Sequence, residues 1–193
     1  MASSTKLRHI LITGPPGVGK TTLVRKVCDS LKQSGVALQG FYTEEVRAEG
    51  RRIGFDVITL HGIRAPLSRV KADQPGGKRE LRVGQYVVDI ASFEQTALTA
   101  LRLKDTGQCV MVIDEIGKME MFSQPFIQLV RSLFSNPQVT VFATIPIAKG
   151  KPIHLVEELR KRHDAKLFEV SKSNRDVLEE DIKSAVKVAL SCE

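Results

Sequence analysis

The sequence predicts an α/β fold in which a parallel sheet is covered by helices on both faces. Three observations carry that expectation. The apolar run Ile10 to Ile12 leads into a glycine-rich loop that opens an amphipathic stretch, the order of a strand, a turn and a helix. From residue 110 onward, short apolar runs alternate with helical patterns, which in a globular chain means parallel strands joined by crossover helices. The 193 residues are 42% apolar and 26% charged, ordinary for a chain that folds around a substantial core.

Taken in order, Thr21 to Val27 continues the loop as a helix, with apolar residues at 23, 24, 27 and 31 on one buried face. Val36 to Val46 reads as the second strand. Ala48 to Arg51 is a turn, and Ile53 to Leu60 returns as the other arm of a hairpin. His61-Gly62 turns the chain again, Gln74 to Lys78 is its strongest breaker, and Tyr86 to Ile90 is a short apolar run. Residues 47 to 90 therefore form a β-rich insertion after the second strand, too small for a domain of its own, so a single domain over 1–193 is expected. Ser92 with Gln95 has the pattern of a capping box, opening a helix whose inner face is Phe93, Ala97, Leu98 and Leu101. Val110 to Ile113 is a strand, Ser123 caps a helix through Leu133, and Val139 to Ile145 is a strand. Ile153 to Arg162 is a helix, Lys166 to Val170 a strand, and Asn174 starts the last helix. Open sheets of this kind bind ligands beyond the carboxyl ends of their strands, so Thr13, Asp114, Thr144 and Val170 mark where the chemistry is expected.

Residues Gly14, Pro15, Pro16, Gly17, Val18, Gly19, Lys20 and Thr21 spell a complete G-x-x-x-x-G-K-[ST] phosphate loop. Phosphate needs several closely spaced donors, and a backbone supplies them only where side chains do not obstruct it. Gly14, Gly17 and Gly19 permit the turn and the approach, and the helix N-terminus adds its positive end. Lys20 reaches the β- and γ-phosphates as a compact charge, and Thr21 is the expected Mg²⁺ ligand. Pro15 and Pro16 have no N–H to donate; they restrict the empty loop and lower its ordering cost.

The run Cys109 to Ile113 is a buried strand that ends abruptly in Asp114 and Glu115. This has the form of a Walker B element. Asp114 holds Mg²⁺ in such an element, and Glu115 orients or deprotonates the attacking water. The adjacent Asp-Glu pair points to the RecA-like, additional-strand group of P-loop NTPases, and because no guanine-reading N-K-x-D string is present, guanine specificity is not expected. Gly117 lets the following backbone turn, and Lys118 is either a cation for the γ-phosphate or a plain surface lysine. Thr144 either bonds the γ-phosphate or water, or caps its loop. Glu44, at the end of the second strand, is a rival base.

The formal net charge of +7 suits a phosphate-binding enzyme. The positive residues are dispersed, with small clusters at Arg47/Arg51/Arg52, Lys78/Arg79/Arg82 and Arg160/Lys161/Arg162, and 5% aromatics without Trp offer no stacking platform. Nucleic acid is not expected as a partner. The amino-terminal apolar run is too short for a signal peptide or a spanning helix. Cys28, Cys109 and Cys192 are odd in number and widely spaced, as reduced thiols are. A cytoplasmic monomer without a membrane partner is expected.

Four segments together resemble one family: GPPGVGKTTL, GFYTEEVR followed by GRRIGF (Gly40 to Phe55), DEIGKME (Asp114 to Glu120) and S-x-x-NRD near the carboxyl end. The chain is similar over nearly its whole length to the nucleoside-triphosphatase family first described in thermophiles. The resemblance implies a RecA-like domain and Mg²⁺-dependent hydrolysis of ATP, GTP, CTP and UTP to the diphosphate and phosphate. It also implies that Val110, Met111, Val112, Ile113, Asp114, Glu115, Ile116 and Gly117 form a second nucleotide-binding stretch. Asn174 and Arg175 resemble a base-contacting pair, a planar guanidinium stacking on any base; alternatively Asn174 is a helix cap and Arg175 is simply exposed. Two other classes compete with a hydrolase. One is a small-molecule or nucleotide kinase with the insertion, Arg160 and Arg162 as a lid over an acceptor. The other is a regulatory or RNA-linked nucleotide-binding module.

Overall fold

The computed structural model describes residues 6–71, 80–104 and 108–191. Among these residues there are nine strands, β1 (His9–Thr13), β2 (Leu38–Ala48), β3 (Arg51–Thr59), β4 (Arg64–Val70), β5 (Arg82–Val83), β6 (Tyr86–Val88), β7 (Cys109–Asp114), β8 (Val139–Thr144) and β9 (Ala165–Glu169). Five helices accompany them: α1 (Lys20–Gln33), α2 (Ile90–Ala100), α3 (Gln124–Ser135), α4 (His154–Arg160) and α5 (Leu178–Leu190). All nine strands form one sheet in the order β5-β6-β4-β3-β2-β7-β8-β1-β9.

The run β2-β7-β8-β1-β9 is parallel throughout. One strand, β8, stands between β1, which leads into the phosphate loop, and β7, which ends in Asp114. That is the additional-strand arrangement the Asp-Glu pair predicts. Alternation along the strands divides the core by face. Leu11, Met111, Ile113, Val141 and Ala143 pack with α2, α3 and α4 on one side. Ile10, Ile12, Val110, Val112 and Phe142 pack with α1 and α5 on the other. Phe41, Phe93 and Phe126 meet at centroid distances of 5.2 to 6.3 Å, tying β2, α2 and α3 together. Each such ring pair contributes about 0.5–1.5 kcal/mol beyond its buried area.

The β-rich insertion continues this same sheet. β2 outruns its parallel neighbour and pairs antiparallel with β3 from Phe41 to Ala48, and β4, β6 and β5 follow in antiparallel register. β4 has no counterpart in the sequence reading, because Pro66 interrupts its alternation; the strand accommodates that proline beside an irregularity in register at Phe55/Asp56. The breaker at Gln74 to Lys78 and Cys192 lie outside the described residues.

Two helix starts are corrected. Asp89, not Ser92, caps α2: its carboxylate accepts the Ser92 N–H, and Ser92 lies inside the helix. α5 begins at Leu178 rather than Asn174. Ser123 caps α3 as expected, accepting the Phe126 N–H. Among the described residues no helix is long and apolar enough to cross a membrane.

Candidate functional site

The carboxyl ends of β1, β7, β8 and β9 come together as the strand pattern predicts. β1 gives way at Thr13 to the loop, whose first glycine leans on the neighbouring strand end. The Val170 N–H donates to Thr13 O at 2.8 Å, and a Cβ on Gly14 would lie 2.5 Å from the Val170 carbonyl oxygen. α1 then begins at Lys20, with Gly19 at φ +106° before it, so its unpaired N–H groups face the space above the sheet.

Lys20 is buried. Its ammonium donates to Gly14 O at 3.0 Å and Pro15 O at 3.3 Å, and stands 3.8 Å from a Glu115 carboxylate oxygen. The loop thus holds its own lysine folded across the place where phosphate oxygens bind. Asp114 is 1% exposed. Its Oδ1 accepts the Thr144 hydroxyl, while Oδ2 is buried without a hydrogen-bond partner meeting full geometry. Burial raises the Asp114 pKa, opposed by the Thr144 and Thr21 hydroxyls and the Lys20 charge. A buried carboxylate oxygen with spare acceptor capacity, beside the Thr21 hydroxyl, fits Mg²⁺. That ion takes one or two protein ligands and completes its shell with substrate phosphates and water.

Glu115 is about a third exposed. Burial of the rest pushes its pKa up, Lys20 pulls it back, and Asp114 pushes it up again. It therefore combines access to water with a raised affinity for a proton, the two properties a general base needs. Glu44 stands differently: its carboxylate is taken by Arg64 and Arg25, at 2.5 and 3.4 Å. Both of its oxygens are thus held by guanidinium groups.

The remaining expected residues divide. Val110 to Ile113 and Ile116 are fully buried, so side chains in this stretch shape the site from beneath. Ile116 N–H donates to Thr144 O at 2.9 Å, fixing the turn beyond the strand. Lys118 is exposed, in the turn that follows Gly117. Arg175 lies over the phosphate loop: Nη1 donates to Val18 O at 3.3 Å, and the side chain passes within 4.0 Å of where a Gly19 Cβ would be. Asn174 caps no helix. Its amide oxygen accepts the Ser171 N–H and its amide nitrogen donates to Glu169 O, so it holds the loop that carries Arg175. Arg162 binds Asp164 and Phe134 O beside His9, at the opposite end of the sheet from Asp114. Arg160 donates to Pro146 O. The described strands of the insertion are paired edge to edge, and both arginines bond within the fold.

One residue escaped the sequence reading. Glu120, at the start of a short 3-10 turn (Glu120–Phe122), is 4% exposed and accepts the Gly117 N–H at 3.0 Å. A surface pattern of K-M-E gave no sign of a buried acid; its position in DEIGKME was the sole hint.

A phosphate loop and a carboxylate two strands away, both at the carboxyl edge of a parallel sheet, define a RecA-like P-loop NTPase fold. The family model described as NTPase matches residues 9–183. The chain is 61% identical over 184 residues to the human cancer-related nucleoside-triphosphatase, covering 93% of this chain and 97% of the other. The solution structure of a human cancer-related nucleoside triphosphatase superposes with a TM-score of 0.83 at 61% identity, over 93% of this chain and 97% of that one. The crystal structure of THEP1 from Aquifex aeolicus gives 0.77 at 41% identity, over 93% and 99%. The chain belongs to this nucleoside-triphosphatase family.

Proposed function

We propose that this chain hydrolyses nucleoside 5′-triphosphates, ATP, GTP, CTP and UTP alike, to the diphosphate and phosphate with Mg²⁺. The observation that carries the reading is the buried, incompletely bonded Asp114 carboxylate beside Lys20, with the partly exposed Glu115 next to it. The N–H groups of the Gly14 to Thr21 loop receive the phosphates. Lys20 exchanges its two loop carbonyls for β- and γ-phosphate oxygens, a stronger charge-assisted pairing. Thr21 and Asp114 would hold Mg²⁺, whose charge offsets the negative charge gathered on the phosphates. Glu115 orients the attacking water and accepts its proton. Lys118, in the same turn as Glu115 and Gly117, is proposed as a second cation for the γ-phosphate.

Arg175 supplies a planar surface for the base, held in place by Asn174. Stacking favours every base, so discrimination among the four triphosphates is expected to stay within about tenfold. The same reading takes 1–193 as one domain, acting as a cytoplasmic monomer on nucleoside triphosphates without a nucleic-acid or membrane partner. Phosphate release from each of the four triphosphates, with and without Mg²⁺ and with no acceptor added, tests it. Release with all four only when Mg²⁺ is present is the expected outcome. A strict preference for one base, or no release until an acceptor is supplied, would overturn it.

A further inference from the structure

The turn after β7 carries Glu115 into the site, and its backbone is pinned at two successive amides. Ile116 N–H goes to Thr144 O on β8, and Gly117 N–H goes to the Glu120 carboxylate. Glu120 is itself fixed, because Ser123 N–H bonds its carbonyl and the Ser123 hydroxyl bonds Glu94 on α2. The Glu115 and Glu120 carboxylates converge on one point. A Cβ on Gly117 would lie 2.7 Å from Glu115 Oε1 and 3.1 Å from Glu120 Oε2. Glycine at 117 thus leaves room for two acidic side chains to approach a single backbone position.

We propose that Glu120 is a positioning residue for hydrolysis, holding the Gly117 amide so that the Glu115 carboxylate faces the attacking water. The inference rests on the proposed role of Glu115. Removing the Glu120 acceptor leaves a buried N–H unpaired, and the turn relaxes to find water or another partner. Glu115 then spends less time in line with the γ-phosphate, whereas the phosphate loop, which Glu120 does not touch, keeps its grip on nucleotide. Burial and the Glu115 charge push the Glu120 pKa up to about 8. At neutral pH its carboxyl is therefore largely protonated and adds little negative charge beside Glu115. Glutamine has the same shape, keeps an acceptor oxygen for Gly117 and carries no charge, so it should serve in place of the neutral acid.

Purified E120A, E120Q, G117A and E115Q, assayed with Mg²⁺ and ATP for kcat and KM, test the proposal. E120A should lower kcat by about thirtyfold or more with KM within about threefold of the parent, a split set by loss of transition-state alignment. E120Q should recover kcat to within about threefold of the parent. G117A, which pushes a methyl group against Glu115, should lose kcat in the same way as E120A. Should E120A fail to fold, E120Q and G117A still decide. The proposal is overturned by E120A or G117A at parental kcat, by E120Q as slow as E120A, or by a KM that rises with the loss. E115Q separates the two failures. An inactive E115Q alongside an active E120A leaves Glu115 as the base and removes Glu120, while an active E115Q removes both.

Discussion

Stability should fall steeply on mild acidification because of one buried imidazole. His9 has no exposed surface. Its Nδ1 accepts the Val141 N–H at 3.1 Å, which places the proton on Nε2, 3.1 Å from Phe134 O. Both nitrogens are satisfied in the neutral ring, and a second proton would break the bond from Val141. Burial is the largest influence on its titration. Asp164, 3.7 Å away, favours the cation, while Arg162 and Arg8 oppose it, and the pKa falls from 6.5 to about 4. Between those values the unfolded chain binds more protons than the folded one, so stability rises with pH. The contribution is complete above 6.5 and is lost as pH falls toward 4. At 1.36 kcal/mol per pKa unit, the loss is about 3 kcal/mol. Urea unfolding at intervals from pH 7.5 to 4, on the parent and His9→Gln, isolates this residue, because every other titrating group is common to both. Asp164, despite partial burial, is held below the ordinary carboxylate range by Arg162, so its own loss falls lower in pH. The parent should lose about 3 kcal/mol more than the variant across the window. Parallel curves for the two proteins would show that His9 is accessible to protons in the folded state and refute the reasoning.

Lys20→Ala should abolish phosphate release and weaken triphosphate binding, measured by titration calorimetry, because among the described residues no other lysine or arginine is buried; unchanged turnover would remove the phosphate site as assigned. Glu115→Gln should bind Mg²⁺ and ATP nearly as well as the parent while turnover falls about a hundredfold. Glu44→Gln breaks two exposed ion pairs worth about 0–1 kcal/mol in stability and should cost little turnover; reversal of these two results would move the base to β2. A non-hydrolysable triphosphate with Mg²⁺ at a hundred times its Kd should stabilise the fold by about 2.7 kcal/mol, read as a rise in Tm that disappears in Lys20→Ala.

The parallel strands, and the placing of the Gly14 to Thr21 and Asp114-Glu115 segments at their carboxyl ends, were legible because each rests on local signals. An apolar run abuts the glycine loop, and a second apolar run abuts the paired carboxylates, so each signal is complete within a few residues. What remained hidden depended on partners distant in sequence. Ser92 has Gln95 three positions on and so carries the capping-box pattern, whereas Asp89, which caps α2 by accepting the Ser92 N–H, has no Glu or Gln at that spacing to announce it. Asn174 has the composition of a cap, yet both of its amide groups bond Ser171 and Glu169, and the helix waits until Leu178. β4 escaped because proline is ordinarily a strand breaker and here occupies an irregular position. Glu120 is bonded to Gly117 and Ser123, and Ser123 reaches Glu94 on α2, an arrangement no local pattern encodes.

The contact between Gly14 and Val170 changes what the first letter of the phosphate-loop motif means in this chain. Its missing side chain makes room for a neighbouring strand, so an alanine there would first displace the end of β9. Arg175, five residues past Val170, would be carried away with it. Such a variant would register in a binding assay as a loss of nucleotide affinity and be scored as damage to the anion cradle, although the lesion would be a seam between two strands. A second-site change that shortens or loosens the segment from Val170 to Asn174 should then restore binding without touching any group that meets the phosphates, the genetic signature of an architectural residue inside a chemical motif.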